Sequence, residues 1–262
     1  MKALGEPSNL DLADSLIALG ILIGIAYAYC MFVSPWFDGC WSWDYVQATW
    51  ERWQALNVGM LAFLSSIIAF RISRYRDRAQ RERDFTAEKA FLPESLASLS
   101  HYFKDCSKLL REAWNRDEAD RSPYLKPTLP EGYREVFKQC IRFAPPRVGE
   151  YLADVLRWLQ VNDSRLKSLV EELEKNGNPK SNRHNIFVYF YRLGELQASL
   201  SRLFPFARGE EDLNIDPLDW DDFQNAYVNL DILFPEDLEL INDNLKAFTE
   251  RQIKRETKLE EE

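Results

Sequence analysis

Residues that could carry acid–base, nucleophilic or metal chemistry are few and scattered along the chain. The two histidines, His101 and His184, each lack a second His or Cys three or four residues away, the spacing that places two metal ligands on one helix face. The four cysteines, at positions 30, 40, 106 and 140, show no paired metal-ligand spacing either. The sequence has no phosphate-binding glycine loop, no Gly-x-Ser-x-Gly motif and no His-Glu-x-x-His motif. We therefore predict a non-enzymatic protein without a cofactor, and expect His101 to be a partly buried helix residue.

One acidic segment, 212–223, alternates Asp, Asn and Asp at its start as a calcium-binding EF-hand does. The sixth position of an EF-hand needs glycine and is Pro217 here, and the twelfth needs a bidentate glutamate and is Phe223, so that motif is excluded. Two interpretations of the neighbouring carboxylates stay open. Asp219 can cap the N-terminus of a following helix. Alternatively, a weak divalent site, and with it a metal-dependent enzyme as the least favoured function, would use Asp216, Asp219, Asp221 and Asp222.

The apolar residues indicate a membrane protein. From Ser15 to Phe37, 23 consecutive residues carry no charge. That length exceeds the roughly 20 residues that a helix needs to cross a ~30 Å hydrocarbon layer. A second uncharged run of 18 residues extends from Trp53 to Phe70. We predict transmembrane helices over about 15–36 and 54–72; buried helices of a soluble domain are the alternative.

The first span is predicted to be an uncleaved anchor. A signal peptide begins with basic residues, whereas the segment before this run carries Glu6, Asp11 and Asp14 against Lys2. The orientation follows from the arginines, because six of them lie within 13 residues after the second run and the connection between the runs has only Arg52. We therefore expect both termini in the cytoplasm and the connection outside, at the inner membrane of a bacterium.

The connection is rich in tryptophan, since five of the eight Trp fall within 18 residues. Tryptophan favours the headgroup region of a bilayer, and an aromatic ligand pocket is the alternative. Arginines spaced three and four apart would form a stripe able to contact anionic lipid headgroups. The residues assigned to the membrane interface are Trp36, Trp41, Trp43, Trp50, Trp53, Arg71, Arg74, Arg78 and Arg81.

Small residues recur along one face of each predicted span, a spacing that lets helix backbones approach closely in lipid. They are Gly20, Gly24 and Ala28 in the first span and Gly59, Ala62 and Ser66 in the second. Two interpretations are open: the faces pack on each other within one chain, or they drive assembly of a homo-oligomer. An intermolecular disulfide through Cys40, which is expected outside, would also join two chains.

The remainder of the chain has helical periodicity and no alternating run long enough to predict a sheet. We expect Pro93 to bend or restart a helix, and the helix after it to have an apolar face formed by Leu96, Leu99, Phe103, Cys106 and Leu110. Further helices are predicted over about 148–175, 220–230 and 236–258, with a central helix in segment 184–207, which is apolar around most of its circumference. The predicted fold class is all-α: a two-helix transmembrane hairpin in residues 1–75, followed by a cytoplasmic helical bundle in residues 76–262.

Charge is uneven within the predicted cytoplasmic domain. Residues 85–209 contain 20 basic and 16 acidic side chains, whereas residues 210–262 contain 5 basic and 17 acidic ones, a net charge of −12. Such a region repels nucleic acid and anionic membranes. Region 210–262 can face away from the bilayer, fold back on the arginines or bind a basic protein partner; we expect a protein partner and predict no nucleic-acid partner.

The segments RDFTAEKAFLPESLASLSHYF and LSRLFPFAR, together with this layout, resemble a group of uncharacterised bacterial membrane proteins with a two-span N-terminal anchor and a helical cytoplasmic region. The resemblance implies the bacterial inner membrane and carries over no activity. The leading functional hypothesis is a membrane-anchored protein whose helical domain binds a protein partner in regulation, scaffolding or a stress response. The alternative is an oligomerising effector, toxin-like or active in anti-phage defence, that perturbs the membrane.

Overall fold

The computed structural model describes residues 20, 22–116, 122–176, 183–240 and 243–261, and these ranges are predominantly helical. The predicted all-α class is confirmed. Two short strands, β1 (Glu239–Leu240) and β2 (Asp243–Asn244), form an antiparallel pair. The described helices are α1 (Leu22–Asp38), α2 (Trp43–Arg52), α3 (Gln54–Lys89), α4 (Leu92–Asn115), α5 (Tyr133–Phe143), α6 (Pro146–Asn176), α7 (Arg183–Arg208), α8 (Trp220–Asn229) and α9 (Leu245–Glu261).

The chain divides into two compact units, Met1–Arg76 and Asp77–Glu262, and α3 contributes to both. By length and composition, α3 is the one described helix that could cross a membrane, and its most apolar 18-residue window has no buried residue. Helix α1 is apolar but shorter over its described residues. Residues 15–19 and 21 of the first predicted span lie outside the described residues.

Helix α3 is unbroken for 36 residues and joins the apolar run to the arginines. No Gly or Pro occurs between Met60 and Lys89, so nothing in this stretch interrupts the backbone hydrogen-bond ladder. After a turn at Ala90 and Phe91, Pro93 lies in the first turn of α4, where a missing N–H costs no hydrogen bond. The prediction that Pro93 restarts a helix is thus confirmed.

Helix α7 is the centre of the Asp77–Glu262 unit, as its all-round apolar pattern predicts. It packs against α4, α6, α8 and α9. Thirteen of its residues are buried, including Phe190, Leu193 and Leu200. The apolar face predicted for α4 is buried against it, and its members are Leu96, Leu99, Phe103, Cys106 and Leu110.

The helix predicted over 236–258 begins later in the structure, at Leu245. Pro235 starts a one-turn 3₁₀ helix instead, and the chain then forms β1 and β2. The side-chain oxygen of Asn244 accepts a hydrogen bond of 2.9 Å from the backbone N–H of Ala247. This bond satisfies one of the free donors at the start of α9, so the Asn244 cap sets where the helix begins.

Among the described glycines of the bundle, Gly194 of α7 is the most closely packed, against Tyr227 of α8. A Cβ atom added to Gly194 would lie 2.5 Å from Tyr227 Cε1. Tyr227 cannot easily retreat, because it is fully buried and its hydroxyl is 2.7 Å from the Thr249 hydroxyl of α9. Glycine at position 194 therefore allows three helices to pack around this one tyrosine.

Gly194→Ala should lower the melting temperature of the full chain in detergent, measured by circular dichroism. Alanine normally stabilises a helix interior by about 0.5–1 kcal/mol relative to glycine. Here overpacking against Tyr227 should lower the free energy of unfolding by about 1–3 kcal/mol, so the substitution should destabilise the protein instead of stabilising it. Gly149→Ala in α6 is the control, because its added Cβ would meet only ordinary contacts of 3.4 Å and 3.8 Å. A melting temperature equal to or above wild type for Gly194→Ala would contradict the packing described.

Candidate functional site

The side chains that could act in catalysis or bind a metal ion do not come together among the described residues. His101 and His184 are both exposed, on α4 and α7. The expectation that His101 is partly buried is wrong, because Leu99 and Phe103 turn toward the core and a residue two positions from each lies about 200° around the helix. Across the described ranges no group of three or more His, Cys, Asp and Glu side chains could hold a metal ion.

The two cysteines of the bundle are protonated core residues. Burial raises the pKa of the Cys106 thiol to about 12, although a hydrogen bond with Tyr102 opposes the shift. Burial also raises the pKa of Cys140 to about 11. A thiol rather than a thiolate is therefore present at neutral pH in both positions, and neither is a nucleophile. Cys30 and Cys40 are exposed.

The acidic segment is used for capping and for tertiary structure. Asp219 and Asp222 form a reciprocal capping box at the start of α8, which confirms the N-capping interpretation. Asp222 also accepts hydrogen bonds from Arg202 of α7, at 3.2 Å from Nε and 2.5 Å from Nη2. Burial acts to raise the pKa of the Asp222 carboxyl, but its hydrogen bonds act more strongly in the opposite direction. The pKa of Asp222 therefore lies below its usual value. Arg202 further donates to the carbonyl oxygens of Asp216 and Pro217, so it holds the loop against the bundle.

Four of the five predicted interface tryptophans come together in the Met1–Arg76 unit. We call Trp36, Trp41, Trp43 and Trp50 the aromatic cluster. Its ring centroids are 5.8 Å apart for Trp36 and Trp41, 5.9 Å for Trp36 and Trp43, and 6.0 Å for Trp43 and Trp50. The fifth, Trp53, makes no ring contact with a described residue and is exposed. Trp41 and Trp43 keep 70% and 55% of their surface exposed, so the cluster is not closed into a pocket.

A side-chain hydrogen bond to a backbone carbonyl attaches the aromatic cluster to α1, at the π-helical turn Tyr29–Val33. Pro35 has no N–H and cannot donate to the Met31 carbonyl four residues earlier. That carbonyl instead accepts a hydrogen bond of 2.8 Å from the indole Nε1 of Trp50. Met31 and Val46 are buried beside this contact, so α2 is fixed against the end of α1 by one polar bond and a small apolar core.

A second polar bond ties α1 to α3. The Tyr27 hydroxyl donates to the Asn57 side-chain oxygen at 2.5 Å. Asn57 therefore marks the side of α3 that faces α1. In an apolar environment such a side-chain pair satisfies two polar groups that would otherwise be costly to bury.

The small residues of α3 lie on its other side. At 100° per residue, Gly59, Ala62 and Ser66 fall about 140–200° around the helix from Asn57. A Cβ atom added at Gly20, Gly24 or Gly59 would meet no atom within 4 Å, and Ala28 is exposed. The described contacts therefore do not bring the two small-residue faces together within one chain.

The arginine stripe, defined as Arg71, Arg74, Arg78 and Arg81, follows the apolar run on the same unbroken helix. All four side chains are exposed, and none forms an ion pair with another described residue. The Arg74 guanidinium lies 5.7 Å from the centroid of the Phe70 ring, one turn back along the helix. The arginines thus begin directly where the apolar surface of α3 ends, at Phe70.

A groove in the acidic region was not predicted from the sequence. It is lined by Trp220, Gln224, Tyr227, Val228, Ile232, Leu233, Pro235, Glu236 and Lys246. Leu233 and the adjacent Phe234 are 64% and 66% exposed. The available signal was the apolar pair Leu233 and Phe234, which stands directly before Pro235 and outside both neighbouring predicted helices.

Comparison of the chain with protein-family models, with curated proteins and with solved structures finds no match. The resemblance to two-span bacterial membrane proteins accordingly stays a prediction.

Replacing Trp50 with Phe should destabilise the Met1–Arg76 unit, because the Met31 carbonyl would lose its donor. An unpaired buried carbonyl costs about 1–3 kcal/mol. Pro35→Ala restores a backbone N–H to that carbonyl, so the double variant should lose clearly less stability than the sum of the single variants. Hydrogen exchange of α1 amides, measured by mass spectrometry in detergent, reports the effect, with Trp53→Phe as control. Additive effects of Trp50→Phe and Pro35→Ala would contradict this account.

Proposed function

We propose that the chain is a bacterial inner-membrane protein in which α1 and α3 cross the bilayer and the Asp77–Glu262 unit binds a protein partner in the cytoplasm. The observation that carries the proposal is the apolar window of α3, none of which is buried, continuing without a break into exposed arginines. A contiguous apolar surface of that length is unfavourable in water, and lipid contact removes the cost.

The spacing of the polar and aromatic groups supports a spanning arrangement. A single residue separates α3 from α2, and α2 carries two members of the aromatic cluster. From Gln54 to Arg71, the helix rises about 26 Å at 1.5 Å per residue. The hydrocarbon layer is ~30 Å thick, so aromatic rings at one end and snorkelling arginines at the other fit its two interfaces.

The arginine stripe favours the cytoplasmic side for the Asp77–Glu262 unit. Positive residues close to a span end are retained in the cytoplasm. Each arginine near a leaflet of anionic lipid contributes ~1 kcal/mol of attraction, and the stripe presents four of them without competing ion pairs among the described residues. The stripe would therefore contact anionic lipid headgroups.

Binding of a protein partner is supported by apolar side chains left exposed on the Asp77–Glu262 unit. Phe91, Trp158, Val228, Leu233 and Phe234 keep between 47% and 66% of their surface exposed. Aromatic and large apolar residues are enriched in the centres of protein interfaces. Together with the net charge of −12 in residues 210–262, they favour a regulatory, scaffolding or stress-related role for a protein with a basic partner surface.

A membrane-impermeant maleimide applied to intact cells tests the proposed topology. Cys40 is exposed beside the aromatic cluster and should be labelled from outside, whereas Cys106 and Cys140 are buried and should not react in intact cells. Cys40→Ser should abolish the labelling. A reporter fused after residue 262 should be active only in the cytoplasm. Recovery of the full chain in the soluble fraction without detergent, or labelling of Cys40 only after cell lysis, would overturn the proposal.

A second candidate function, an oligomerising effector that perturbs the membrane, is favoured by one observation. The small-residue face of α3 is turned away from α1 and is not covered within the described chain. Ser65 and Ser66 bond to backbone carbonyls of their own helix, so this face has no unpaired hydroxyl. Close approach of a second helix is the usual use of such a face in lipid.

Gly59→Leu should weaken self-association of the full chain in lipid, because leucine would separate the two backbones. Expressed cells should also lose any depolarisation that the wild-type chain causes, and Gly24→Leu tests the first span in the same way. Val58→Leu, at a neighbouring exposed position, is the matched control. Fluorescence energy transfer between labelled chains in vesicles measures association, and a voltage-sensitive dye measures depolarisation. Equal energy transfer and unchanged potential in all variants would exclude this candidate.

A further inference from the structure

The groove in the acidic region is lined by apolar and polar side chains together. Trp220 and Val228 of α8 form one side, and Leu233 of the following loop forms the other. Lys246 closes one end, with its Nζ 3.2 Å from Glu236 Oε1 and 5.3 Å from the centroid of the Trp220 ring. A ligand in this groove therefore meets apolar side chains and one charged pair together.

The loop that carries Leu233 and Phe234 is held rigidly. The buried Ser107 hydroxyl donates to the Leu230 carbonyl at 2.7 Å, and the Ile232 N–H donates to the Tyr227 carbonyl at 2.8 Å. Leu230 and Ile232 are buried, so the two exposed apolar residues do not fold into the core. A fixed loop presents them at a low entropy cost of binding.

Exposed acidic residues are frequent on the elements that carry the groove. Asp221, Asp231, Glu236, Asp237 and Glu239 are all exposed on the elements that form or follow the groove. Of these, Asp231 faces Arg111 at 3.9 Å and Glu236 faces Lys246. Asp221, Asp237 and Glu239 form no ion pair with a described residue, so the region around the groove favours a ligand that combines apolar and basic side chains.

The chain itself contains a segment with that combination. On α3, Ile68, Ile72 and Tyr75 recur at i, i+4 and i+7 and are exposed, Tyr75 by 75%. This strip lies about 100° around the helix from the centre of the arginine stripe, so one side of the segment is apolar and the adjacent side is basic. Residues 71–83 carry six arginines against Asp77 and Glu82, a net charge of +4.

We infer that the groove of one copy binds the arginine-bearing segment 71–83 of a second copy. Tyr75 and Ile72 would contact Val228, Leu233 and Phe234, while the arginines would face the exposed acidic residues around the groove. The inference rests on the proposal that the acidic region binds a protein partner, and it names that partner as the chain itself.

Site-specific photocrosslinking in intact membranes tests this inference in the full chain. The photoreactive phenylalanine analogue p-benzoylphenylalanine replaces Phe234, which is exposed next to the groove and tolerates a larger ring. The expected product is a covalent dimer of this chain, with the crosslink mapped by mass spectrometry to residues 68–84. The same analogue at Trp158, an exposed aromatic position on α6, is the control and should give no such dimer.

Exchanging the charges of one residue in each segment tests whether the two segments contact each other directly. Glu236→Lys should lower the dimer yield roughly tenfold, the effect of about 1.4 kcal/mol, and Arg78→Glu should do the same. The two changes together should restore the yield, since an opposite pair is re-formed. Absence of restoration would contradict direct apposition of the two segments.

Each of the other possible crosslinking results would contradict the inference in a different way. A crosslink from position 234 to a different protein would overturn self-recognition and leave the proposed partner-binding function standing. A crosslink within one chain would overturn docking between copies. No crosslink at all from position 234 would overturn both the inference and the assignment of a partner to the acidic region.

Discussion

The unbroken backbone of α3 is the constraint on which the rest of the arrangement depends. A helix satisfies its own N–H and C=O groups, so a segment that is apolar on every side can enter lipid without leaving polar groups unpaired. Because the same helix continues for 36 residues, the arginines keep a fixed distance and a fixed angular position relative to the apolar surface. The proposed membrane level follows from that geometry.

The same requirement for satisfied backbone groups bears on how α2 is attached to α1. A proline at position 35 removes one donor from α1, and the indole of Trp50 replaces it. Had Trp50 served only as an interfacial ring, any aromatic residue would have sufficed there. Its N–H has a specific acceptor, so this tryptophan has a structural role that the others in the aromatic cluster do not show.

Local signals in the sequence predicted the regular elements well. The period of α4, the all-round apolar pattern of α7 and the Asp219 cap each depend on residues within a few turns of one another, and these predictions are confirmed. Features that depend on distant residues were not predictable. The Tyr27–Asn57 bond, the Arg202 contacts and the groove beside Trp220 arise when separate elements pack, and no spacing along the chain specifies them. The prediction that one helix starts at 236 is wrong, because the Asn244 side chain caps a helix that begins at Leu245.

The arginines of α3 have two proposed ligands, and one copy cannot use the same side chains for both. Headgroups offer charge alone, which salt screens over a Debye length of about 8 Å at physiological ionic strength. The groove offers charge together with apolar contact for Tyr75 and Ile72, and that apolar contribution is insensitive to salt. Anionic lipid should therefore compete with association between copies most strongly at low ionic strength, so lipid composition would set how many copies are joined.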